Sequence, residues 1–527
     1  MGIPIVIGVT GHRNPREADL PQLKAVVREE LEKLQRSCPH SRFVMLNSLA
    51  VGADTVCAQE ALSLGMELVC PLPMEIDEYR KDFAGPEIEV FEHLIEQASD
   101  VFIAPATEPF MEGRDFCYRE AGLYVALHSH VLLALWDGKP ATHGGCGTAE
   151  AVSFMLDGDY VGAPTFDSLG DGAVIQVVTP RASSADTVDI HAQLIEEQPG
   201  SLSEILSRTE TFNRDCELLD KKEGKAKTRE EGPKRTCRER MQDVYDKADR
   251  ISMHCQTRYL RTLGSLSLFC VLLVLAFLLY DEAELRWMLV VYGVVISAYA
   301  IFYWLVLRGR FHEKYIQYRV LAETMRVQDH LASLGILASV GDDFTWTQRH
   351  DITWIRKASR VLLIGGAMPA TMTADQVKEL WIDDQSAYHR HALERDSNKL
   401  HMSNRVTQAM IVGTVASFLA IIVLEYFFPA VMSSSFAGIS FRAWAKIVWG
   451  CLSVVALFVA GYYGRLSFER KAFDHEKMAL LFESAAQRYD CNPGEYELVF
   501  RELAREEIIE NGNWMSYCKE NRPTFNL

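Results

Sequence analysis

Four long apolar segments constrain this chain more than any other feature. Residues 262–280 carry no charge over 19 positions, and residues 287–307 carry none over 21. Residues 409–428 hold a single acid, Glu425, and residues 447–464 hold none. A helix needs about 20 apolar residues to cross the hydrocarbon of a bilayer. Soluble helices keep a polar face, so segments apolar on every side point to membrane spans and not to buried core helices. The lipid bilayer is therefore the first expected partner.

The flanks set an orientation. Arg258 and Arg261 precede the first span, and Arg308, Arg310 and Lys314 follow the second. Lys399 and Arg405 precede the third; Arg465, Arg470 and Lys471 follow the fourth. The first tip is acidic, with Asp281, Glu282 and Glu284, whereas the second, around 429–441, is rich in Ser and Gly. Basic flanks stay in the cytosol, so both termini are expected there, with the protein multi-pass in the inner (cytoplasmic) membrane. Arg442 and Lys446 at the second tip run against the rule. Trp287, Trp304, Trp444 and Trp449 fall near the expected interfaces. The short run His312-Glu-Lys314 recurs as His475-Glu-Lys477, which points to two copies of a two-span module.

The first 180 residues read differently. Apolar runs at 3–9, 43–46, 67–72, 101–104 and 131–136 alternate with helical patterns at 20–37, 55–65, 88–98 and 117–128. Such alternation implies a Rossmann-like parallel sheet covered by helices, with ligands beyond the carboxyl ends of the strands. Three loops fall on that edge. The first is Gly8-Val-Thr10-Gly11-His12-Arg13, the second Ser48-Leu-Ala-Val-Gly52-Ala53-Asp54, and the third Asp137-Gly138 with Gly144-Gly145-Cys-Gly147-Thr148-Ala-Glu150. Glycine lets a backbone approach a phosphate, helix N-termini favour anions, and Arg13 supplies charge. Neither GxGxxG nor GxxxxGK[ST] is present, so a dinucleotide fingerprint and a Walker loop are not expected.

At GVTGHRN (8–14), SLAVGADTVCAQEAL (48–62) and ALWDG…GGCGTAE (134–150), the chain resembles the SLOG superfamily of Smf/DprA-like and LOG-like nucleotide-ligand domains. The resemblance implies a nucleotide-derived ligand, of ADP-ribose type or a cyclic nucleotide, and no bound cofactor. LOG enzymes carry PGGxGTxxE; here His143 replaces the proline and Glu150 comes one residue early. One residue turns a helical side chain by about 100°. The departure favours a sensor over a hydrolase, and no catalytic residue is assigned. The flanking helices and paired spans resemble the SLATT membrane effector modules of prokaryotic defence systems. That likeness implies a ligand-gated pore, or other membrane disruption, in a homo-oligomer, with a separate enzyme making the signal. The alternative is a membrane-tethered LOG-like nucleotide phosphoribohydrolase. A scaffold would leave the three loops without a role.

The remaining chemistry is thin. Twelve cysteines lie without a CxxC pair, the histidines are dispersed and no HExxH occurs, so no metal is expected. A net charge of −17 disfavours nucleic acid as a partner. Glu425 either reaches water near the span's end or faces a pore. The expected division is 1–180 ligand-binding domain, 181–250 charged linker and helix, and 251–335 first hairpin with its cytosolic helix. There follow 336–400 as a cytosolic insert, 401–490 as second hairpin with its helix, and 491–527 as a cytosolic tail.

Overall fold

A computed structural model of the protein describes residues 2–106, 113–140, 147–158, 160, 172–183, 189–224, 236–366 and 368–521. The chain divides into two compact units. One comprises Met1–Ile251, Gln317–Thr373 and Phe500–Tyr517; the other comprises Ser252–Ile316, Ala374–Val499 and Cys518–Leu527.

The first unit is built on a seven-stranded sheet. Its strands are β1 (Ile5–Gly11), β2 (Phe43–Leu46), β3 (Glu67–Leu72), β4 (Asp100–Ile103), β5 (Val131–Trp136), β6 (Ala173–Val178) and β7 (Ala192–Glu196). Their order is β4-β3-β2-β1-β5-β6-β7. All neighbours run parallel except β6 and β7. β1 and β2 are continuous apolar runs because helices bury both faces of a parallel sheet. The helices among the strands are α1 (Leu20–Ser37), α2 (Ala53–Ser63), the short α3 (Ile76–Tyr79), α4 (Pro86–Gln97), α5 (Arg114–Leu127) and α6 (Thr148–Leu156). α1 sends Leu23, Val27, Leu31 and Leu34 inward at helical spacing onto Ile5, Ile7 and Val9. The chain lays β2, β3 and β4 on one side of β1, then crosses to the other side with β5. The carboxyl ends of β1 and β5 are thus the point where strand order reverses, which is where open α/β sheets place ligands.

The stretch 181–250, expected as charged linker and helix, contains β7, α7 (Ser201–Lys222) and the start of α8 (Cys237–Asp281), while 225–235 of its charge run lie outside the described residues. Its charges line one face while Leu202, Ile205, Leu206 and Phe212 of α7 are buried. Asn213 then clamps the N-terminus: its Oδ1 accepts from Ile3 N at 2.8 Å and its Nδ2 donates to Ile3 O at 2.8 Å. The expected insert at 336–400 is not one body either. After α9 (Met288–Gly309), α10 (Phe311–Ser333) and α11 (Trp346–Leu362), the middle segment of the first unit ends at Thr373, and α12 (Ala374–Val377) begins the return of the chain to the second. α11 carries the buried Arg356 and Arg360, which both hold Asp342. Burial works against that carboxylate, yet the two guanidiniums outweigh it and keep its pKa well below the usual range. Tyr124 of α5 donates to Gly365 O at 3.2 Å and accepts from Gly365 N at 3.0 Å, tying this stretch to the sheet.

Among the described residues, four helices are long and apolar enough to cross a membrane, so the chain reads as multi-pass. They are α8, α9, α13 (Asp384–Phe427) and α15 (Phe441–Leu466). Between α13 and α15 lie α14 (Pro429–Met432) and a small ribbon, β8 (Ser435–Phe436) and β9 (Ile439–Ser440). α16 (Phe468–Cys491) and α17 (Tyr496–Glu520) complete the chain. α8 passes from the first unit into the second as one helix of 45 residues. Phe269 lies against Tyr299 and Phe302, and Phe277 against Tyr292. Trp449 packs on α13: its ring lies 5.1 Å from that of Phe418, and its indole N–H donates to Thr414 O at 3.3 Å. Trp449 is thus a packing residue, whereas Trp287 and Trp304 are exposed.

The two His-Glu-Lys runs, from which a repeat is expected, fall at different points of their helices. His312 is the second residue of α10, but His475 is the eighth of α16. The equivalent points are Arg310 and Ser467, single left-handed residues (φ 45° and 48°) that join a span to a helix opening on Phe311 or Phe468. These lie 467 − 310 = 157 residues apart, whereas the motifs lie 475 − 312 = 163 apart.

Candidate functional site

A cleft of about 380 Å³ opens beyond the end of β1, between the loop before α2, the face of α5 and the start of α6. Of the residues singled out in the sequence, Thr10, Gly11, His12, Arg13, Ser48, Asp54, Gly147, Thr148 and Glu150 line it. Gly52 and Ala53 form the wall behind it, and Asp137 holds His12. Gly144 and Gly145, with the rest of 141–146, lie outside the described residues.

Two glycines let this corner close. A Cβ on Gly11 would stand 2.3 Å from Ala53 Cβ, so α2 reaches β1 only if residue 11 has no side chain. Gly52 has φ +91°, and a Cβ there would stand 2.4 Å from Arg13 O. Asn47 fixes the intervening loop: its Nδ2 donates to Asp54 O at 2.8 Å, and its Oδ1 accepts from Leu49 N at 2.7 Å. Ala50 N donates to Asp54 Oδ2 at 3.2 Å, and Ala53 N donates to His12 O at 3.1 Å. The amides of residues 49, 50 and 53, read in the sequence as an anion nest, therefore serve the chain's own acceptors. The 48–54 loop is a wall.

Burial raises the Asp54 pKa to about 7, against the opposing pull of the Ala50 N–H and Arg13. The carboxyl is half protonated near neutral pH. His12 is buried, and its Nε2 accepts from Asp137 N at 3.2 Å, which makes Nδ1 the protonated nitrogen of the neutral ring. Burial, helped by Arg181, lowers its pKa against the pull of Asp137. Asp137 Oδ2 lies 3.2 Å from Arg181 Nε, which brings Arg181 to the cleft from beyond β6.

The opposite wall comes from α5 and α6. Arg119 Nε donates to Glu150 Oε1 at 3.1 Å, and its guanidinium lies 5.4 Å from the Phe154 ring. Arg13 is exposed, 4.8 Å over the Tyr118 ring. Tyr118 donates to Asp82 and accepts from Arg114 Nε at 3.3 Å, so that ring is held in place. The first-turn amides of Thr148 and Ala149 have no acceptor within their own helix, as at any helix start. Sequence reasoning missed Arg119, Tyr118, Phe154 and Arg181. All four lie away from the glycine loops, and the only signal was helical spacing: Tyr118 and Arg119 sit one turn into α5, Phe154 one turn past Glu150.

The cleft thus offers three guanidiniums, the rings of Tyr79, Tyr118 and Phe154 and a helix start, the donor set for a phosphorylated ligand with a flat group. Among the described residues, no three His, Cys, Asp or Glu side chains lie close enough to share a metal ion. No protein-family model matches this chain, and no curated protein matches it.

Glu425, the pore candidate, accepts from Arg442 Nε at 3.0 Å. The acid and the base that ran against the charge rule are one ion pair at the span's end.

Proposed function

We propose that this protein is a membrane effector whose cleft takes a phosphorylated, nucleotide-derived ligand and thereby changes the state of its spans. The observation that carries the reading is the cleft at the strand-order reversal, with Arg13, Arg119 and Arg181 around it. Ligand phosphate is met by these side chains and the α6 start, and the flat group lies on Tyr118 or Phe154. The SLOG-like motifs agree with an ADP-ribose-type or cyclic nucleotide. The spans pair as two hairpins, supported by the ring contacts of Phe269 and Phe277 with α9. The continuous helix α8 supplies a covalent route from the cleft-bearing unit to the first span. Both termini lie in the cytosol, and several copies form an ion pathway in the inner membrane. A role in defence against phage rests on the likeness to SLATT modules.

A ligand moves such an equilibrium only if it binds the two states unequally. Glu150 pairs with Arg119 in place of standing ready for proton transfer, which favours sensing over hydrolysis. The test is titration of the detergent-solubilised full chain with AMP, ADP-ribose and 3′,5′-cyclic AMP, with assay of the supernatant for released base. Binding without base release supports the sensor. Base release lost in Glu150→Gln would establish the hydrolase instead. No binding by any of the three probes, alongside an intact fold, would count against a nucleotide site.

A further inference from the structure

The floor of the cleft carries a different chemistry from its basic rim. Tyr79 closes α3, and its ring is held edge-on by Phe83 and Phe91, at centroid distances of 5.2 and 5.7 Å. The side chain is 2 % exposed, yet it lines the cleft, and its hydroxyl bonds to no described residue. Burial takes water away from a tyrosine hydroxyl, so one without a partner stands ready for a ligand.

Asp54 repeats the pattern from α2. It is 5 % exposed and lines the same cleft. Its Oδ2 accepts from Ala50 N, whereas Oδ1 has no partner among the described residues. Thr10, at the end of β1, and Ser48, in the loop before α2, add two more hydroxyls to this floor.

These groups select their occupant. The Tyr79 O–H needs an acceptor, and the ionised Asp54 carboxylate needs a donor. A phosphate oxygen accepts without donating, and an ammonium donates without accepting. A hydroxyl does both. The edge of a base also does both, but its donors and acceptors are fixed in the ring plane. Three of the four floor groups are hydroxyls, which rotate to suit a partner that rotates too. The Arg13 guanidinium acts electrostatically on Asp54 and on Tyr79, so the floor adjoins the place given to phosphate.

We propose that Asp54 and Tyr79, with Thr10 and Ser48, form a sugar subsite that binds the hydroxyls of a ribose, so that the cleft selects ribonucleotides over deoxyribonucleotides. The subsite rests on the nucleotide reading of the cleft. Tyr79 donates to one ribose oxygen, and Asp54 accepts from the neighbouring hydroxyl. The phosphate lies toward Arg13 and the base on Tyr118 or Phe154.

The test compares AMP with 2′,3′-dideoxy-AMP by calorimetric titration of the detergent-solubilised full chain, as wild type and as Tyr79→Phe. The wild type should bind AMP about 10-fold more tightly or better, because the dideoxy probe leaves the buried groups unpaired. Tyr79→Phe keeps the packed ring and should narrow that gap several-fold by weakening AMP alone. Equal affinity of the wild type for the two probes would overturn the sugar subsite and leave the nucleotide site standing. So would a gap that Tyr79→Phe leaves unchanged, whether or not both affinities fall. Failure of both probes to bind the folded wild type would overturn the nucleotide reading and the subsite together.

Discussion

The two walls of the cleft look alike in the sequence and differ in what they leave for a ligand. Each has a glycine-bearing loop before a helix. In the 48–54 loop, the amides of Leu49, Ala50 and Ala53 are bonded to Asn47, Asp54 and His12 of the same chain. Across the cleft, the start of α6 leaves the amides of Thr148 and Ala149 without helical acceptors, beside Arg119 and Phe154. One wall is a brace that spends the amides of 49, 50 and 53 on the chain itself, and the other sets a helix start beside the Arg119 guanidinium. A glycine-rich loop is a phosphate nest only when its N–H groups are not already bonded.

The largest effect should come from breaking the brace itself. Gly11→Val puts a branched side chain where even a Cβ meets Ala53 at 2.3 Å. It should cost about 3 kcal/mol, at the upper end for overpacking, because backbone and not a flexible side chain has to move. Thermal unfolding of the full chain checks this; an unshifted midpoint would mean that α2 is not pressed against β1.

Arg13→Ala should come next and act on binding alone. It removes a charge-assisted contact of about 1.5–3 kcal/mol, a loss of roughly 10- to 100-fold in affinity for AMP or ADP-ribose. Arg13 is exposed, so the unfolding midpoint should stay in place. Equal affinity in calorimetric titration would remove Arg13 from the site.

Asp54 gives the brace a pH signature. Its folded pKa of about 7 lies above the usual 3.8, so the folded state holds this proton more tightly. Stability from this group is therefore full below about pH 4 and is lost as pH rises through about 7. A charged Asp54 also repels an anionic ligand, so affinity should fall a few-fold from pH 6 to pH 8. Asp54→Asn should flatten both trends. A wild-type affinity independent of pH over that range would mean that the ligand does not approach this wall.

The smallest effect is expected at Glu150. Glu150→Gln releases Arg119 from its carboxylate and lowers negative charge beside the donors. Affinity for AMP should rise about two-fold or less, as for other partly exposed ion pairs. A loss of binding would make Glu150 a direct ligand contact.

Much of this arrangement was legible in the sequence. α1 and β2, β3 and β5 fall on the expected boundaries because continuous apolar runs and helical spacing leave little choice there. The spans were equally plain. Nine of the expected site residues line one cleft because loops after parallel strands must emerge on one edge. What was not legible depended on long-range partners. Asn47 turning inward, Arg181 arriving from beyond β6 and Arg119 meeting Glu150 each join residues whose separation carries no periodicity. The burial of 201–222 was hidden by its charged outer face. The left-handed residue before Phe311 and before Phe468 has no side-chain signature, since Arg and Ser fill it.

The central claim is that occupancy of the cleft changes the membrane region. It is tested most directly by ion flux from lipid vesicles holding the full chain, with AMP, ADP-ribose or 3′,5′-cyclic AMP added on the side of the cleft. The account predicts that a probe which binds changes the flux, and that Arg13→Ala shifts the response to higher probe concentration by the factor it costs in affinity. A probe that binds the wild type with the same affinity in vesicles and leaves the flux unchanged would contradict it.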